Sequence, residues 1–193
     1  MSVSKPVKKT ISETYQKKSQ REHILDNPDT YTGSMELSED DMYIFDNEGE
    51  KIISRKIKYI PGFYKLFDEA IVNCRDHYVR LQQKIKSGQK DIIPVTLIDI
   101  AVDKETGVIT LMNDGNGIDI AQHPEHKLWI PEMIFGHLMT STNYKKSEKK
   151  IVGGKNGFGV KLIFIYSKWA KIETVDHIRK KKYVQEFKDN LDD

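Results

Sequence analysis

The segment PGFYKLFDEAIVNCRDHYVRLQQKIK at residues 61–86 carries the strongest periodic signal in this chain. Its apolar residues recur at helical spacing, which predicts a long amphipathic helix. Pro61 suits the first turn of a helix, and Gly88 follows the predicted end. The predicted apolar face consists of Phe63, Phe67, Ala70, Ile71, Cys74, Tyr78, Leu81 and Ile85. The opposite stripe is polar and consists of Glu69, Asn73, Asp76 and Arg80.

Strand and turn signals surround this helix. Residues 42–60 alternate in places and contain a turn at 47–49, which predicts two strands. A short helix from residue 21 is expected to stop at Pro28. The later predicted elements are a hairpin of 94–102 and 108–113, helices at 131–139 and 160–166, and strands at 168–176 and 181–188. Helices segregated against a mixed or antiparallel sheet predict an α+β fold, a two-layer α/β sandwich.

The composition fits one globular domain, with 193 residues of which 38% are apolar and 31% charged. No apolar run approaches the roughly 20 residues that cross a bilayer, so we expect no membrane partner. The single cysteine, Cys74, excludes an intrachain disulfide and favours an intracellular, reducing compartment. The net charge of +2 does not mark a nucleic-acid binder. Lysine clusters near 5–9, 145–150 and 180–182 fit either solvated surface or contact with phosphate.

Glu69 and Asn73 are spaced to lie one turn apart on the same side of the predicted helix. A carboxylate there can polarise a water molecule. An amide oxygen one turn further on can bind Mg²⁺, which uses few protein ligands and keeps several waters. The alternative is an ordinary polar stripe that faces solvent.

The sequence Asn-Asp-Gly-Asn-Gly at 113–117 follows a predicted strand. Its glycines let the backbone turn sharply and let a ligand approach closely. We expect Asp114 to be buried at the strand end, where its carboxylate could accept a hydrogen bond from an exocyclic amine such as that of adenine. The alternative is a plain turn, because these residue types are common in turns.

Two further segments could contact a nucleotide. The glycine-rich loop at 153–159 precedes a predicted helix, so its backbone N–H groups could bind phosphates, with Lys161 adding a positive charge. It matches neither the P-loop nor the Rossmann pattern, and a flexible hinge is the alternative. The polar run Thr140-Ser-Thr-Asn143 could bind ribose or phosphate oxygens, or could cap the end of the 131–139 helix.

Taken together, these segments supply a general base, a metal ligand, an adenine contact, hydroxyl donors and a phosphate-binding loop. Positioning and electrostatic stabilisation are the main requirements of phosphoryl transfer. The combination therefore predicts a site that binds and hydrolyses Mg·ATP.

The chain resembles the GHKL (Bergerat) ATPases and, within them, the eukaryotic and viral type IIA DNA topoisomerases. The motifs that carry the resemblance are Tyr15–Lys18, Glu22–Leu25, Pro28–Ser34, Pro61–Glu69, Ile134–Gly136, Thr140–Tyr144 and Gly153–Leu162. They extend over nearly the whole chain, from about residue 14 to 190. Departures from the family pattern occur at Cys74, Arg75, His77 and Phe158, which are often Ala, Asn or Tyr in relatives.

The resemblance implies a role for each matching position. Glu69 corresponds to the general base, Asn73 to the Mg²⁺ ligand and Asp114 to the residue that contacts the adenine amine. Tyr15 corresponds to the strap that contacts ATP in the partner subunit. The remaining implied contacts with the nucleotide sugar and phosphates are Ser141, Thr142, Asn143, Lys155, Asn156, Gly157, Phe158, Gly159 and Lys161.

The resemblance also implies an organisation and a function. We expect an N-terminal strap at 1–20 and a GHKL ATPase domain at 21–193, truncated at its C-terminal end and lacking the transducer and DNA-cleavage domains. ATP would close a homodimer that passes one DNA duplex through another, and the fragment alone would be weak or inactive. A cellular enzyme would be nuclear, and a viral one would act in the virion or at a replication site. The alternatives are another GHKL ATPase, MutL-like or chaperone-like, and a non-hydrolysing interaction domain with a degenerate nucleotide site.

Overall fold

The computed structural model describes residues 17–138 and 158–192. In these ranges the chain forms five helices and six strands. The helices are α1 (Gln20–Asp26), α2 (Pro28–Tyr31), α3 (Pro61–Lys86), α4 (Ile130–Gly136) and α5 (Gly159–Ile165). The strands are β1 (Ser38–Asp46), β2 (Lys51–Tyr59), β3 (Ile98–Asp103), β4 (Val108–Asn113), β5 (Trp169–Asp176) and β6 (Lys181–Lys188). No helix in the described ranges is both long and apolar enough to cross a membrane.

The strands pair as three antiparallel hairpins, β1–β2, β3–β4 and β5–β6. Each predicted hairpin is present. The β3–β4 hairpin starts at Ile98 rather than at 94, because the backbone N–H groups of Thr96 and Leu97 bind the Asp114 side chain. Its turn is closed by Asp103, whose carboxylate accepts hydrogen bonds from the N–H groups two and three residues on. Gly107 adopts a φ of +73° there, a conformation that favours glycine.

Helix α3 confirms the predicted bounds, but its buried face differs from the prediction. Leu81 is buried as predicted, but Leu66, which was not assigned to the apolar face, is buried as well, and Phe63 is 58% exposed. Asp76, predicted to lie on the polar stripe, is only 4% exposed. Asp76 shares a stripe of α3 with Glu69 and Asn73, which α5 meets at Gly159, and with His77, which the segment after β4 meets at Asn116.

Helices α1 and α2 dock against α5 through an apolar cluster. Its buried members are Ile24, Leu66, Leu162 and Ile165. The hydroxyl of Tyr166 donates to the carbonyl oxygen of Ile24 over 2.5 Å, and Arg21 forms a salt bridge of 2.6 Å with Asp192. Pro28 ends α1 as predicted but also begins α2, since proline is favoured in a first helical turn.

Candidate functional site

Glu69 and Asn73 face the first residue of α5. A Cβ atom placed on Gly159 would lie 2.5 Å from Glu69 Oε2 and 3.7 Å from Asn73 Nδ2. Only glycine permits this approach without displacing the Glu69 side chain. The close contact brings the end of the glycine-rich loop beside the two polar side chains that the sequence selected as general base and metal ligand.

Neighbouring groups of α3 also bind the side chains of Glu69 and Asn73. Lys65 Nζ lies 2.7 Å from Glu69 Oε1, and the hydrogen bond with Glu69 raises the pKa of Lys65. Asn73 Nδ2 donates to the backbone oxygen of Glu69 over 2.6 Å. The Glu69 carboxylate is therefore oriented, with Oε1 toward Lys65 and Oε2 toward Gly159.

Phe158 immediately precedes α5, and Lys161 lies in its first turn. The Phe158 ring centroid lies 6.1 Å from that of Tyr31, so the residue before α5 packs against α2. Lys161 is 2% exposed, and burial lowers the pKa of its ammonium group to about 8. Lys161 lies two residues after Gly159, about half a turn along α5, so its buried amine is close in the chain to the Gly159 contact.

The segment 113–117 crosses α3 further along the helix. Cys74 hydrogen-bonds to the Asn113 side chain, and burial raises the pKa of the Cys74 thiol. One turn beyond Asn73, His77 Nε2 lies 2.7 Å from the backbone oxygen of Asn116. A single helix thus connects the Glu69 region to the turn that carries Asp114.

Asp114 differs from the prediction of a buried carboxylate. It is exposed, and both oxygens accept hydrogen bonds from the segment that precedes β3. Oδ1 accepts from the backbone N of Thr96 at 2.7 Å and of Leu97 at 2.9 Å, and Oδ2 accepts from the Thr96 hydroxyl. The Thr96 hydroxyl and then the two backbone N–H groups lower the pKa of Asp114 to about 2.

Close packing fixes the remainder of this turn. A Cβ on Gly115 would lie 2.5 Å from a Val95 methyl, and one on Gly117 would overlap the backbone oxygen of Val175. Asp176, at the end of β5, accepts the backbone N–H of Ile120 at 2.9 Å. Burial alone would raise the pKa of Asp176, but hydrogen bonds from the backbone and guanidinium of Arg179 and from Ile120 hold it well below its usual range.

The structure therefore brings together Glu69, Asn73 and Gly159, with Phe158 and Lys161 on the same short segment. Seven predicted site residues lie outside the described residues and stay predictions: Tyr15, Ser141, Thr142, Asn143, Lys155, Asn156 and Gly157. Sequence reasoning did not assign a role to His77. Its position eight residues after Glu69, on the same helical stripe, was the available signal.

The environment of Asn73 fits a magnesium ligand. Because its Nδ2 donates to the backbone oxygen of Glu69, Oδ1 is the acceptor atom that a cation would use. In the described ranges no cluster of three His, Cys, Asp or Glu residues could hold a metal by itself. One amide oxygen completed by phosphate oxygens and water suits Mg²⁺.

Comparison with known proteins gives a consistent result. DNA topoisomerase 2 of Acanthamoeba polyphaga mimivirus is 50% identical over 189 residues, which are 96% of this chain and 14% of that protein. The ATPase region of Saccharomyces cerevisiae topoisomerase II matches with a TM-score of 0.84 and 42% identity, over 94% of this chain and 45% of that one. The ATPase and transducer domains of Balamuthia mandrillaris DNA topoisomerase II match with a TM-score of 0.85 and 39% identity, over 95% and 44%. No family model matches the chain.

These matches define the class of the protein through its fold. Its helices and antiparallel strands superpose on ATPase regions of the GHKL type, so the chain has that α+β fold. Identities of 50% and 42% narrow the assignment further. The chain belongs to the DNA topoisomerase II family, the eukaryotic and viral type IIA enzymes. It spans between 11% and 14% of the length of the curated relatives that it matches.

Proposed function

We propose that the chain binds Mg·ATP and hydrolyses it as the N-terminal gate ATPase of a type IIA DNA topoisomerase. The observation that supports this most directly is the approach of Gly159 to Glu69 and Asn73. It sets the start of α5, and hence the end of the glycine-rich loop, against a carboxylate and an amide. Membership of the DNA topoisomerase II family supports the same proposal.

In this proposal Glu69 is the general base. Lys65 holds Oε1 at 2.7 Å, and this ion pair leaves Oε2 on the side of Gly159. A water that hydrogen-bonds Oε2 would lose a proton to Glu69 as its oxygen attacks the γ-phosphorus. The bond between the γ-phosphorus and the β–γ bridging oxygen would break, so that ADP leaves with that oxygen and inorganic phosphate is formed. A positioned base of this kind contributes about 10²–10⁴-fold to a rate.

Asn73 would hold Mg²⁺ through Oδ1. When bound, the cation neutralises the negative charge of the phosphates. Lys161 adds a second positive charge on α5. Its burial means that the charge is poorly solvated by water, which strengthens its attraction for a phosphate.

The segment 113–117 would bind the adenine. Asp114 accepts three hydrogen bonds from Thr96 and Leu97. A carboxylate has about four lone-pair positions, so one acceptor position remains for an amine. Because the carboxylate is held in place before any ligand arrives, little ordering is required on binding.

The activity of the whole enzyme extends this proposal. ATP contacts made best in a closed homodimer would shift the population toward closure, with Tyr15 reaching the partner subunit. Closure would form a gate for double-stranded DNA, so that one duplex passes through another. Relatives in eukaryotes and in a virus support a nuclear or viral site of action.

Glu69→Gln tests the catalytic role in the longest polypeptide that contains this sequence. We expect hydrolysis of Mg·ATP to fall by at least about 100-fold, because the base is lost. The dissociation constant of a non-hydrolysable ATP analogue should stay within about threefold, because Glu69 touches the water rather than the nucleotide. Phosphate release and isothermal titration measure the two quantities.

Asp68→Asn is the matched control. Asp68 is the neighbouring acid on α3 and shares Lys65 at 3.2 Å, but its side chain is not the one at Gly159. Hydrolysis by this variant should remain near the wild-type rate. Equal hydrolysis by Glu69→Gln and wild type would remove Glu69 from the mechanism, and failure of the wild type to bind Mg·nucleotide would support a non-hydrolysing interaction domain instead. ATP-dependent relaxation of supercoiled DNA separates a topoisomerase from a MutL-like or chaperone-like ATPase.

A further inference from the structure

The β1–β2 hairpin turns one whole face to solvent. Its register pairs residues directly across the two strands, so alternate pairs share a face. Every side chain on one of these two faces is exposed. This outer face consists of Glu39, Asp41, Tyr43 and Phe45 on β1 and Ile52, Ser54, Lys56 and Lys58 on β2.

The apolar part of the outer face lies toward the turn of the hairpin. Phe45 and Ile52 are directly opposite each other, and Tyr43 is the next residue of this face along β1. The exposed fractions of Phe45, Ile52 and Tyr43 are 60%, 71% and 83%. A contiguous apolar patch beside charged residues is typical of an interaction site, whereas single exposed apolar residues are ordinary.

The charged part of the outer face divides by strand. Here β1 contributes the acids Glu39 and Asp41, whereas β2 contributes the bases Lys56 and Lys58. The register sets Glu39 opposite Lys58 and Asp41 opposite Lys56, so each acid lies level with a base. The charged atoms of Glu39 and Lys58 are 3.6 Å apart, yet the two side chains stay 43% and 68% exposed. Both can therefore also meet charges on another molecule.

This division by strand makes the outer face complementary to itself. A two-fold axis parallel to the strands would set β1 of one copy over β2 of the other, as an isologous contact requires. Each acid would then lie over a base at the same level, and Phe45 would lie over Ile52. DNA fits this face less well, because Glu39 and Asp41 would repel its phosphates.

The size of the outer face limits how strongly it can associate. Each strand has nine residues. Such a hairpin is about 30 Å long and about 10 Å wide, so the face would bury roughly 300 Å² per copy. A stable interface buries about 800 Å² per partner. The outer face is therefore too small to hold two copies together alone, and it needs another process to bring them into contact.

We propose that the outer face of the β1–β2 hairpin docks on the same face of a second copy of this chain when Mg·ATP closes the homodimer. The inference rests on the proposed ATP-driven closure. The acid–base pairs between the copies set their alignment, since complementary charges fix the register of an interface. The apolar patches at the hairpin turns are then removed from water.

Photocrosslinking in the longest polypeptide that contains this sequence tests the contact. Tyr43 is replaced by p-benzoylphenylalanine, and the protein is irradiated with and without the magnesium complex of adenylyl imidodiphosphate. We expect the nucleotide to raise the yield of covalent dimer by at least about fivefold, because it shifts the population toward closure. Mass spectrometry should map the linkage to residues 51–59 of the second copy. Val184 on β6 is 47% exposed, and the same crosslinker there should give no nucleotide-dependent dimer.

Charge reversal separates the contact between copies from the stability of each hairpin. Lys56→Glu combined with Lys58→Glu makes the outer face acidic. Glu39→Lys combined with Asp41→Lys makes it basic. Each protein alone should lose about tenfold in crosslinked dimer, because like charges then face each other across the interface. Co-expression of the two should restore dimers with one copy of each, although like charges still lie opposite each other within every hairpin.

The other outcomes are distinct. Linkage to DNA or to another part of the chain would overturn the proposed contact, and so would mixed dimers no more abundant than those of either variant alone. Absence of covalent dimer, while isothermal titration shows that the magnesium nucleotide binds, would overturn the contact and leave the ATP site standing. Failure of the wild type to bind the nucleotide would overturn the proposed function and this inference together.

Discussion

The two ends of the polar stripe on α3 are built in different ways. At the Glu69 end, the contact with α5 depends on a missing side chain, because Gly159 lies where a Cβ would meet a carboxylate oxygen at 2.5 Å. At the His77 end, one directional hydrogen bond joins α3 to the backbone oxygen of Asn116, beside the close packing of Gly115. The contact of α3 with the 113–117 turn thus includes a hydrogen bond, whereas its contact with Gly159 depends on close packing.

This difference has a functional consequence. A hydrogen-bonded turn has its geometry before a ligand arrives. The glycine contact instead depends on the absence of a side chain at Gly159, so any added atom would have to displace the Glu69 carboxylate or the start of α5. The two ends should therefore respond differently to substitution: changes at Gly159 should reduce catalysis, and changes at Asp114 should reduce stability against acid.

Gly159→Ala should produce the largest effect at the packed end. The added methyl would displace the Glu69 carboxylate or push α5 away, and a displacement of about 1 Å can reduce a rate by about 100-fold. We expect hydrolysis of Mg·ATP to fall by that order. The measurement is the rate of phosphate release per folded molecule.

Gly107→Ala provides the control for general loss of stability. Gly107 lies in the β3–β4 turn at φ +73°, where an alanine is strained by about 1 kcal/mol, but nothing lies within 4 Å of its Cβ position. Its variant should unfold more readily and hydrolyse normally. Similar hydrolysis rates for the two alanine variants would show that the Gly159 contact does not control catalysis.

Asp114→Asn tests the hydrogen bonds of the 113–117 turn through the pH dependence of stability. The folded pKa of about 2 lies below the ordinary 3.8, so the ionised carboxylate stabilises the fold above the ordinary value. That stabilisation is lost as the pH falls from about 4 to about 2. The free energy of unfolding of wild type should therefore approach that of Asp114→Asn over this interval, as followed by denaturant titration. Asp99→Asn, at an exposed position on β3, is the control, and a constant gap for Asp114→Asn would contradict the role assigned to the hydrogen bonds.

The smallest expected effect is the proton that Lys161 takes up when a nucleotide binds. With a pKa of about 8, its amine is only partly protonated at pH 8.5, and a bound phosphate would raise that pKa. Nucleotide binding at pH 8.5 should therefore take up roughly half to three quarters of a proton. Calorimetry in buffers of different ionisation enthalpy reports this number. Lys161→Arg stays protonated throughout and should take up none; equal uptake by both proteins would assign the proton to another group.

Local signals accounted for most of the elements. Pro61 and Gly88 bound α3 as expected, and the turns at 47–50 and 103–107 close two of the three predicted hairpins. These features depend on residues close together in sequence, so periodicity and turn composition suffice to predict them. The placement of Glu69 and Asn73 on the same side of α3 could be predicted for the same reason, because they are only four residues apart.

Features that depend on distant segments were not predictable in this way. Asp76 is buried on a stripe of α3 that α5 meets at Glu69 and that the segment after β4 meets at His77. Asp114 is exposed and engaged with Thr96 because the chain before β3 supplies the donors. The partner of His77 is a backbone oxygen, and a backbone group leaves no trace in residue identity.

The contact between Arg21 and the last described turn has a consequence for how the chain folds. Arg21 donates to the backbone oxygen of Asp189 over 3.2 Å, across a separation of 168 residues. Closing so long a loop has a high entropic cost, whereas each hairpin closes locally. We expect α1 to dock after the hairpins have formed, and amide hydrogens in α1 to exchange with solvent sooner than those in the middle of α3.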